Sequence, residues 1–394
     1  MLPKRILGYG KSANPIREIS EYGKKRAAEI GKENLFDFSI GNPSVPCPEK
    51  VTDTLLDLLK NVPAEKLHAY TSAVGDPGVR QAVAEFLNGR YGQHCCADGV
   101  YLTAGSAAAL AICLTALLNS GEEVVMPAPF FTEYPVYVEQ AGGVSVIVPC
   151  RADFQLDIDA IEKAINEKTR VLLINSPNNP SGVVFGEESI RALSELLRKK
   201  SEEYGAPIYL LSDEPYRELV YGGVTVPYLP NFYDNTIVCN SFSKTLSLAG
   251  ERVGFILVPE KVSEWRDVYA AIGGAGRALG YINLGSMFQF LLPACLGETA
   301  DLSVYAKNRE IMVSALTEYG FEMASPDGAF YLFLKAPGGD DVAFCQKARE
   351  FELLFVPGSA FYYPGYVRAA YCLDTDTILR ALPAFKALAE AYQK

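Results

Sequence analysis

The sequence predicts an α/β protein, a mostly parallel central sheet sandwiched by helices, joined to a smaller α+β unit. Three observations carry this expectation. Short β-branched runs bounded by turn residues recur at 124–126, 144–148, 170–174, 208–211, 236–239 and 253–258, and they read as strands. Several are apolar throughout instead of alternating, as strands buried on both faces of a parallel sheet are. Helical periodicity lies between the runs, and that alternation marks an α/β architecture.

In chain order, the first helical pattern is 19–30, which suits packing on either unit. A short strand ends near Thr103 and opens into an apolar helix over 107–118, expected to be deeply packed. The clearest helix is 187–204, where Ile190, Leu193 and Leu197 repeat at helical spacing, charged residues fill the opposite face, and Gly205 stops the run. After about residue 285 the pattern changes to helices at 287–296 and 306–319, a strand at 329–334 and a last helix at 376–392. This divides the chain into a large unit, 46–284, and a small one made of 1–45 with 285–394.

Composition narrows the function. A chain of 394 residues with 49% hydrophobic and 21% charged residues has the balance of a globular protein with room for two or three domains. Its 47 acidic residues exceed 36 basic ones, for a net charge of -11, which argues against a nucleic-acid partner. The nine cysteines include no Cys-x-x-Cys pair, and with only His68 and His94 no metal site is expected. The amino terminus resembles neither a signal peptide nor an anchor, and the apolar run 107–118 falls short of the roughly 20 residues a membrane span requires. No membrane association is expected, and the expected compartment is the cytoplasm.

The chemistry concentrates around Lys244. The buried-looking strand that ends at Cys239 runs into Ser241, Phe242, Ser243 and Lys244. Parallel sheets bind ligands at the carboxyl ends of their strands, so Lys244 would present its amine where a substrate sits. A lysine there forms a Schiff base if its surroundings depress its pKa. On residue type alone it would be a solvated surface side chain. The context reverses that reading.

Four motifs supply the context: Ser-Pro-Asn-Asn-Pro-Ser-Gly at 176–182, Ser-Asp-Glu-Pro-Tyr at 212–216, Ser-Phe-Ser-Lys at 241–244 and Glu-Arg-Val-Gly at 251–254. Each alone is weak evidence. In this order and spacing the chain resembles, over nearly its whole length, the class I/II aminotransferases of pyridoxal-phosphate fold type I, of the aspartate aminotransferase kind. The resemblance implies the cofactor pyridoxal 5'-phosphate, with Lys244 in Schiff-base linkage to it and acting, once displaced, as the general base. It implies that Asp213 pairs with the pyridine nitrogen and keeps the ring cationic. Asn179 and Tyr216 would donate to the phenolic oxygen, which favours its ionised form.

The strand-to-helix junction at Gly105, Ser106 and Ala107 offers free backbone amides at a positive helix end, a phosphate cradle. By resemblance Ser241, Ser243 and Arg252 complete it, and Tyr70 reaches it from the neighbouring subunit of a homodimer. Ala107 and Ala108 depart from the family pattern, since polar side chains often stand there. Phe131 falls where the family stacks an aromatic ring on the pyridine, with Phe130 as its rival.

Arg368, on an expected strand of the small unit, matches the family arginine that forks onto the substrate α-carboxylate, with Gly41 and Asn179 beside it. Arg277 has two readings, a contact with a second substrate carboxylate across the dimer interface or a structural, phosphate-side use. Read singly, Asp213 is a turn or cap aspartate, Asn179-Pro180 a turn pair and Gly41 a turn glycine.

The reaction so implied moves an amino group between an L-amino acid and a 2-oxo acid, with aspartate or a broad set of amino acids as candidate donors. A C-S β-lyase on the same scaffold is the alternative. Tyr9, Ile16, Arg277 and Phe361 are the candidates for recognising the substrate side chain.

Overall fold

Seven strands form the central sheet: β1 (Val100–Thr103), β2 (Glu123–Ala128), β3 (Val144–Pro149), β4 (Thr169–Asn175), β5 (Tyr209–Asp213), β6 (Thr236–Ser241) and β7 (Gly254–Leu257). The computed structural model describes residues 2–11 and 15–392; residues 1, 12–14 and 393–394, within the expected 1–45 and 285–394 segments, lie outside the described residues. The strand order is β1-β7-β6-β5-β4-β2-β3. The pairs β3–β2, β2–β4, β4–β5 and β5–β6 are parallel, whereas β7 runs antiparallel to both β6 and β1. The mostly parallel sheet is therefore as expected, and the run at 253–258 is its one reversed strand.

Both faces are covered. Leu173, Leu211, Ile237 and Ile256 meet the helix Gly105–Leu117 and the helix Trp265–Leu279 on one side. On the other, Leu172, Ile174 and Leu210 meet Ile190, Leu193 and Leu197 of the helix Glu187–Tyr204. Each such side chain contributes about 1.5–3 kcal/mol by leaving water. Glu187 and Glu188 sit in the first turn of that helix, where they oppose its dipole, and Gly205 ends it at φ 64.

The range expected for the small unit carries a three-stranded antiparallel sheet of β8 (Tyr331–Lys335), β9 (Val356–Pro357) and β10 (Tyr366–Ala370), in the order β9-β10-β8. Its core gathers Phe38, Tyr305, Met312, Phe344, Phe355 and Phe385. The amino-terminal segment joins it: the helix Pro15–Ile30 sends Ile19 into a core with Phe333 and Leu354, and Phe36–Asp37 pairs in parallel with Leu353–Leu354. Arg26 Nε adds a 3.0 Å hydrogen bond to Glu352.

The helix Ser286–Cys295 lies inside the range expected for the small unit, yet its Leu291, Leu292 and Cys295 pack with Val51 and Val79 in the core of the large sheet. The helices Glu49–Asn61 and Pro77–Tyr91 that receive it were not anticipated. Asp76 caps the second of these by accepting from the amides of Gly78 and Val79.

Candidate active site

The carboxyl ends of β1, β2, β4, β5 and β6 meet along one edge of the sheet, and reversed β7 begins there. In the ladder Thr103 and Ser241 both face Gly254, Asp213 faces Cys239, and Asn175 faces Asp213. The chain segments that leave this edge bring Gly41, Ser106, Ala107, Phe131, Asn179, Asp213, Tyr216, Ser241, Ser243, Lys244, Arg252 and Arg368 around one cavity of about 290 Å³. Ile16, Leu110, Asn175, Pro215, Ala249 and Tyr331 complete its lining.

Lys244 sits in the short helix Phe242–Thr245 that follows β6, and its Nζ donates to the Gly41 carbonyl at 2.7 Å. Burial pulls its pKa down to about 8; Arg368 and Arg252 push the same way, and Cys372 opposes them. The amine is therefore a far better nucleophile near neutral pH than an exposed lysine.

Asp213 ends β5 and is buried. Its Oδ2 accepts from Tyr134 Oη at 2.6 Å, while Oδ1 is buried with no hydrogen-bond partner. Burial pushes the carboxyl up to about 7 against the Tyr134 bond, with Glu214 adding to the rise. Ser106 draws it down without meeting Oδ1 in hydrogen-bond geometry. Asn175 holds this strand end, donating through Nδ2 to the Asp213 carbonyl at 2.9 Å and accepting the Asn179 amide at 2.7 Å.

At the start of the Gly105–Leu117 helix, Ala104 offers no side-chain cap and the first turn has no acidic residue, so the leading amides are open to an anion. Ser241, Ser243 and Arg252 close in on that end. Ser241 Oγ bonds Ser243 Oγ at 2.8 Å, and Arg252 Nη1 donates to Ser243 Oγ at 3.1 Å. Gly105 does not line the cavity but makes it: at φ 81, a Cβ there would stand 2.6 Å from Arg252 Nη2.

Arg368 projects from β10 and is buried with uncharged partners. Nη1 donates to Asn179 Oδ1 at 3.0 Å and Nη2 to the Ser39 carbonyl at 2.6 Å, while Nε is buried without a partner. The guanidinium lies over the rings of Tyr331 and Phe361, at 4.5 and 4.9 Å from their centroids. A buried cation that lines a cavity and has only uncharged protein partners is built to receive an anion.

Packing separates the adjacent phenylalanines. Phe131 lines the cavity, whereas Phe130 is stacked between Tyr134 and Tyr362 in the core. Of the side-chain candidates, Ile16 lines the cavity, and Phe361 supports Arg368 from outside it. Tyr70 stands 94% exposed and Arg277 is exposed on its helix, and neither lines this chain's cavity. Tyr134, Asn175 and Tyr331 were not anticipated. Asn175 closes a strand immediately before a recognised motif, which is a usable signal; the two tyrosines read as ordinary core aromatics.

The Aminotransferase class I and II family matches this chain over residues 33–385. The crystal structure of an aminotransferase from Eubacterium rectale is 49% identical, superposes with a TM-score of 0.98 and covers 100% of both chains. An aspartate aminotransferase of Thermotoga maritima is 31% identical over 97% of each chain. The aspartate aminotransferase of Thermus thermophilus, solved with maleate, is 25% identical, with a TM-score of 0.86 over 98% of this chain and 99% of that one.

Proposed function

This chain belongs to the class I and II aminotransferases, and from that premise we propose which of its residues carry the reaction. The protein is a pyridoxal-phosphate-dependent transaminase that moves an amino group between an amino acid and a 2-oxo acid. When bound, the cofactor's ring draws off the electron pair released with the substrate's α-proton.

Its residues fit that group. The buried, partnerless Oδ1 of Asp213 suits a protonated ring nitrogen, whose charge would restore the carboxylate that burial disfavours. The uncapped amides at Gly105, Ser106 and Ala107, with Ser241, Ser243 and Arg252, suit the phosphate. Phe131 suits the ring face, and Asn179 and Tyr216 suit its phenolic oxygen.

Lys244 holds the cofactor through Nζ and, once displaced by substrate, carries the α-proton as general base. Arg368, through its guanidinium, and Gly41 hold the α-carboxylate, so the Cα–H bond is set toward Lys244. A homodimer brings Tyr70 to the neighbouring site and gives Arg277 a substrate's second carboxylate to meet. Aspartate is the first donor to try, as the relatives' names suggest, in a cytoplasmic enzyme. The division into 46–284 and 1–45 with 285–394 belongs to this reading, apart from the helix Ser286–Cys295, which packs with the large unit.

One observation carries the assignment: a lysine amine lowered to about 8 shares a cavity with the unpartnered edge of a buried aspartate. Borohydride reduction of the loaded protein followed by peptide mapping should place the cofactor on Lys244, and a label on another lysine would refute it. Absorbance changes of the bound cofactor across a panel of amino acids then identify the donors.

A further inference from the structure

Tyr331 occupies a position that none of the roles above uses. It starts β8, pairs in register with Ala370 of β10, and is buried while lining the cavity. Three parts of the site touch it. The Arg368 guanidinium lies 4.5 Å from its ring centroid, its hydroxyl stands 2.9 Å from that of Tyr216, and a Cβ on residue 41 would come 2.1 Å from the same hydroxyl. Gly41 is thus a glycine because Tyr331 fills the space a side chain would need.

The two tyrosine hydroxyls form a short chain, and burial keeps both protonated: it pushes Tyr331 up to about 12 and Tyr216 well above the ordinary phenol value. Either hydroxyl can donate to the other; once Tyr216 gives its one proton to the cofactor, Tyr331 becomes the donor, a sense favoured by the nearby charge of Arg368, which opposes the rise at Tyr331. Hydrogen bonds in series polarise one another in a low-dielectric interior. A change in charge at Arg368 is therefore felt at the Tyr216 hydroxyl through Tyr331, alongside the direct hydrogen bond from Arg368 to Asn179.

We infer that Tyr331 is a positioning residue that couples the carboxylate end of the site to its cofactor end. Its ring carries Arg368, and its hydroxyl sets the hydrogen bond that Tyr216 offers the cofactor. This rests on the roles given above to Arg368 and Tyr216. A carboxylate that neutralises Arg368 weakens Tyr331 as a donor and so alters how firmly the cofactor is held. By linkage, the cofactor alters carboxylate affinity by the same factor.

The experiment measures fractional cofactor loading at equilibrium against free pyridoxal phosphate, with and without saturating propionate, an unreactive monocarboxylate. In the wild-type holoenzyme propionate should change the apparent cofactor affinity about fivefold or more, the lower range of ordinary coupling. Tyr331→Phe keeps the ring under Arg368 and loses only the hydroxyl. It should still bind propionate, seen in the cofactor's absorbance, while the coupling falls by about twofold or more and the remainder passes through the Arg368–Asn179 hydrogen bond. Tyr216→Phe should lose the coupling to the same extent, and the double variant should lose no more than either single one; that arm also carries the test if Tyr331→Phe does not fold.

Absence of coupling in the wild type, or coupling undiminished by both substitutions, overturns the inference. A wild-type protein that takes up no cofactor on Lys244 overturns the assignment of the site itself, and this inference with it.

Discussion

Tyr134 and Asp213 are joined by a 2.6 Å hydrogen bond in which the phenol donates to Oδ2, 79 residues away along the chain. Both groups are buried, and burial together with the neighbouring carboxylate holds the phenol well above its ordinary pKa, so it remains a donor. One carboxylate oxygen is thereby committed and the other left open. The arrangement fixes the plane of the carboxylate and the direction from which a cation reaches it.

Tyr134→Phe removes the donor that most strongly favours the ionised form of Asp213. A hydrogen bond to a charged group contributes about 1.5–3 kcal/mol, so pyridoxal phosphate should bind roughly ten- to a hundredfold more weakly. Equilibrium dialysis measures this, and unchanged affinity would remove Tyr134 from the site.

Asp213 should also make the cofactor-free protein pH-sensitive. Its folded pKa is raised from 3.8 to about 7, so its contribution to stability is complete below about 4 and is lost as pH rises through 7. Asp213→Asn removes that dependence. The stability of the variant relative to wild type, from urea unfolding, should therefore rise by about 2–3 kcal/mol between pH 5 and pH 8. An equal difference at the two pH values would show that the buried carboxyl does not titrate in this range.

For Lys244 the sign is reversed. Its folded pKa of about 8 lies below the ordinary 10.5, so the neutral amine is the favoured form above about 8 and the charged amine costs stability below it. Covalent uptake of pyridoxal phosphate by the cofactor-free protein should climb with pH through a midpoint near 8 and then level off. Stopped-flow absorbance follows it, and Lys244→Met should abolish it at every pH.

Legibility in the sequence followed locality. Asp213, Ser241 and Lys244 were readable because each lies within a few residues of the end of a buried strand, and a parallel sheet gathers such ends at one edge. The reversal of β7 was not, because an apolar run reads the same in either direction. The helix Ser286–Cys295 read as part of the small unit, since nothing in its own pattern says that Leu291 and Leu292 meet Val51 and Val79. Tyr134 and Tyr331 acquire their roles only from contacts with distant elements. Adjacent Phe130 and Phe131 differ only in the direction the fold gives them.

Arg368→Lys keeps a positive charge but loses the planar fork. Because the guanidinium is already held by Asn179 and the Ser39 carbonyl, little reorganisation attends carboxylate binding, and a lysine would forfeit that advantage. KM for every amino donor should rise about tenfold or more, from the loss of one to two charge-assisted bonds. A steady-state survey of several donors measures it, and a rise confined to one donor would place Arg368 on the side-chain end of the substrate instead.

A buried ion pair, Glu214 with Arg217, lies next to the site. Glu214, next to Asp213, is buried and accepts from Ser212 Oγ at 2.7 Å and from Arg217, whose Nη2 donates at 2.9 Å. Arg217 is itself buried, donates to the carbonyls of Val226 and Pro227, and lies against the rings of Tyr91 and Tyr228. The pair is thus satisfied as a unit, and neither member can be removed alone without stranding the other. Arg217→Met should cost about 3–5 kcal/mol in urea unfolding at pH 8, because it leaves an uncompensated buried carboxylate. Glu214 already raises the proton affinity of Asp213, and without Arg217 its unshielded charge should raise it further and weaken cofactor binding. Glu214→Gln with Arg217→Met removes both charges together, so the double variant should recover most of the stability and cofactor affinity. If the double variant is no better than Arg217→Met on either measurement, the damage comes from lost packing against Tyr91 and Tyr228 and not from the stranded charge.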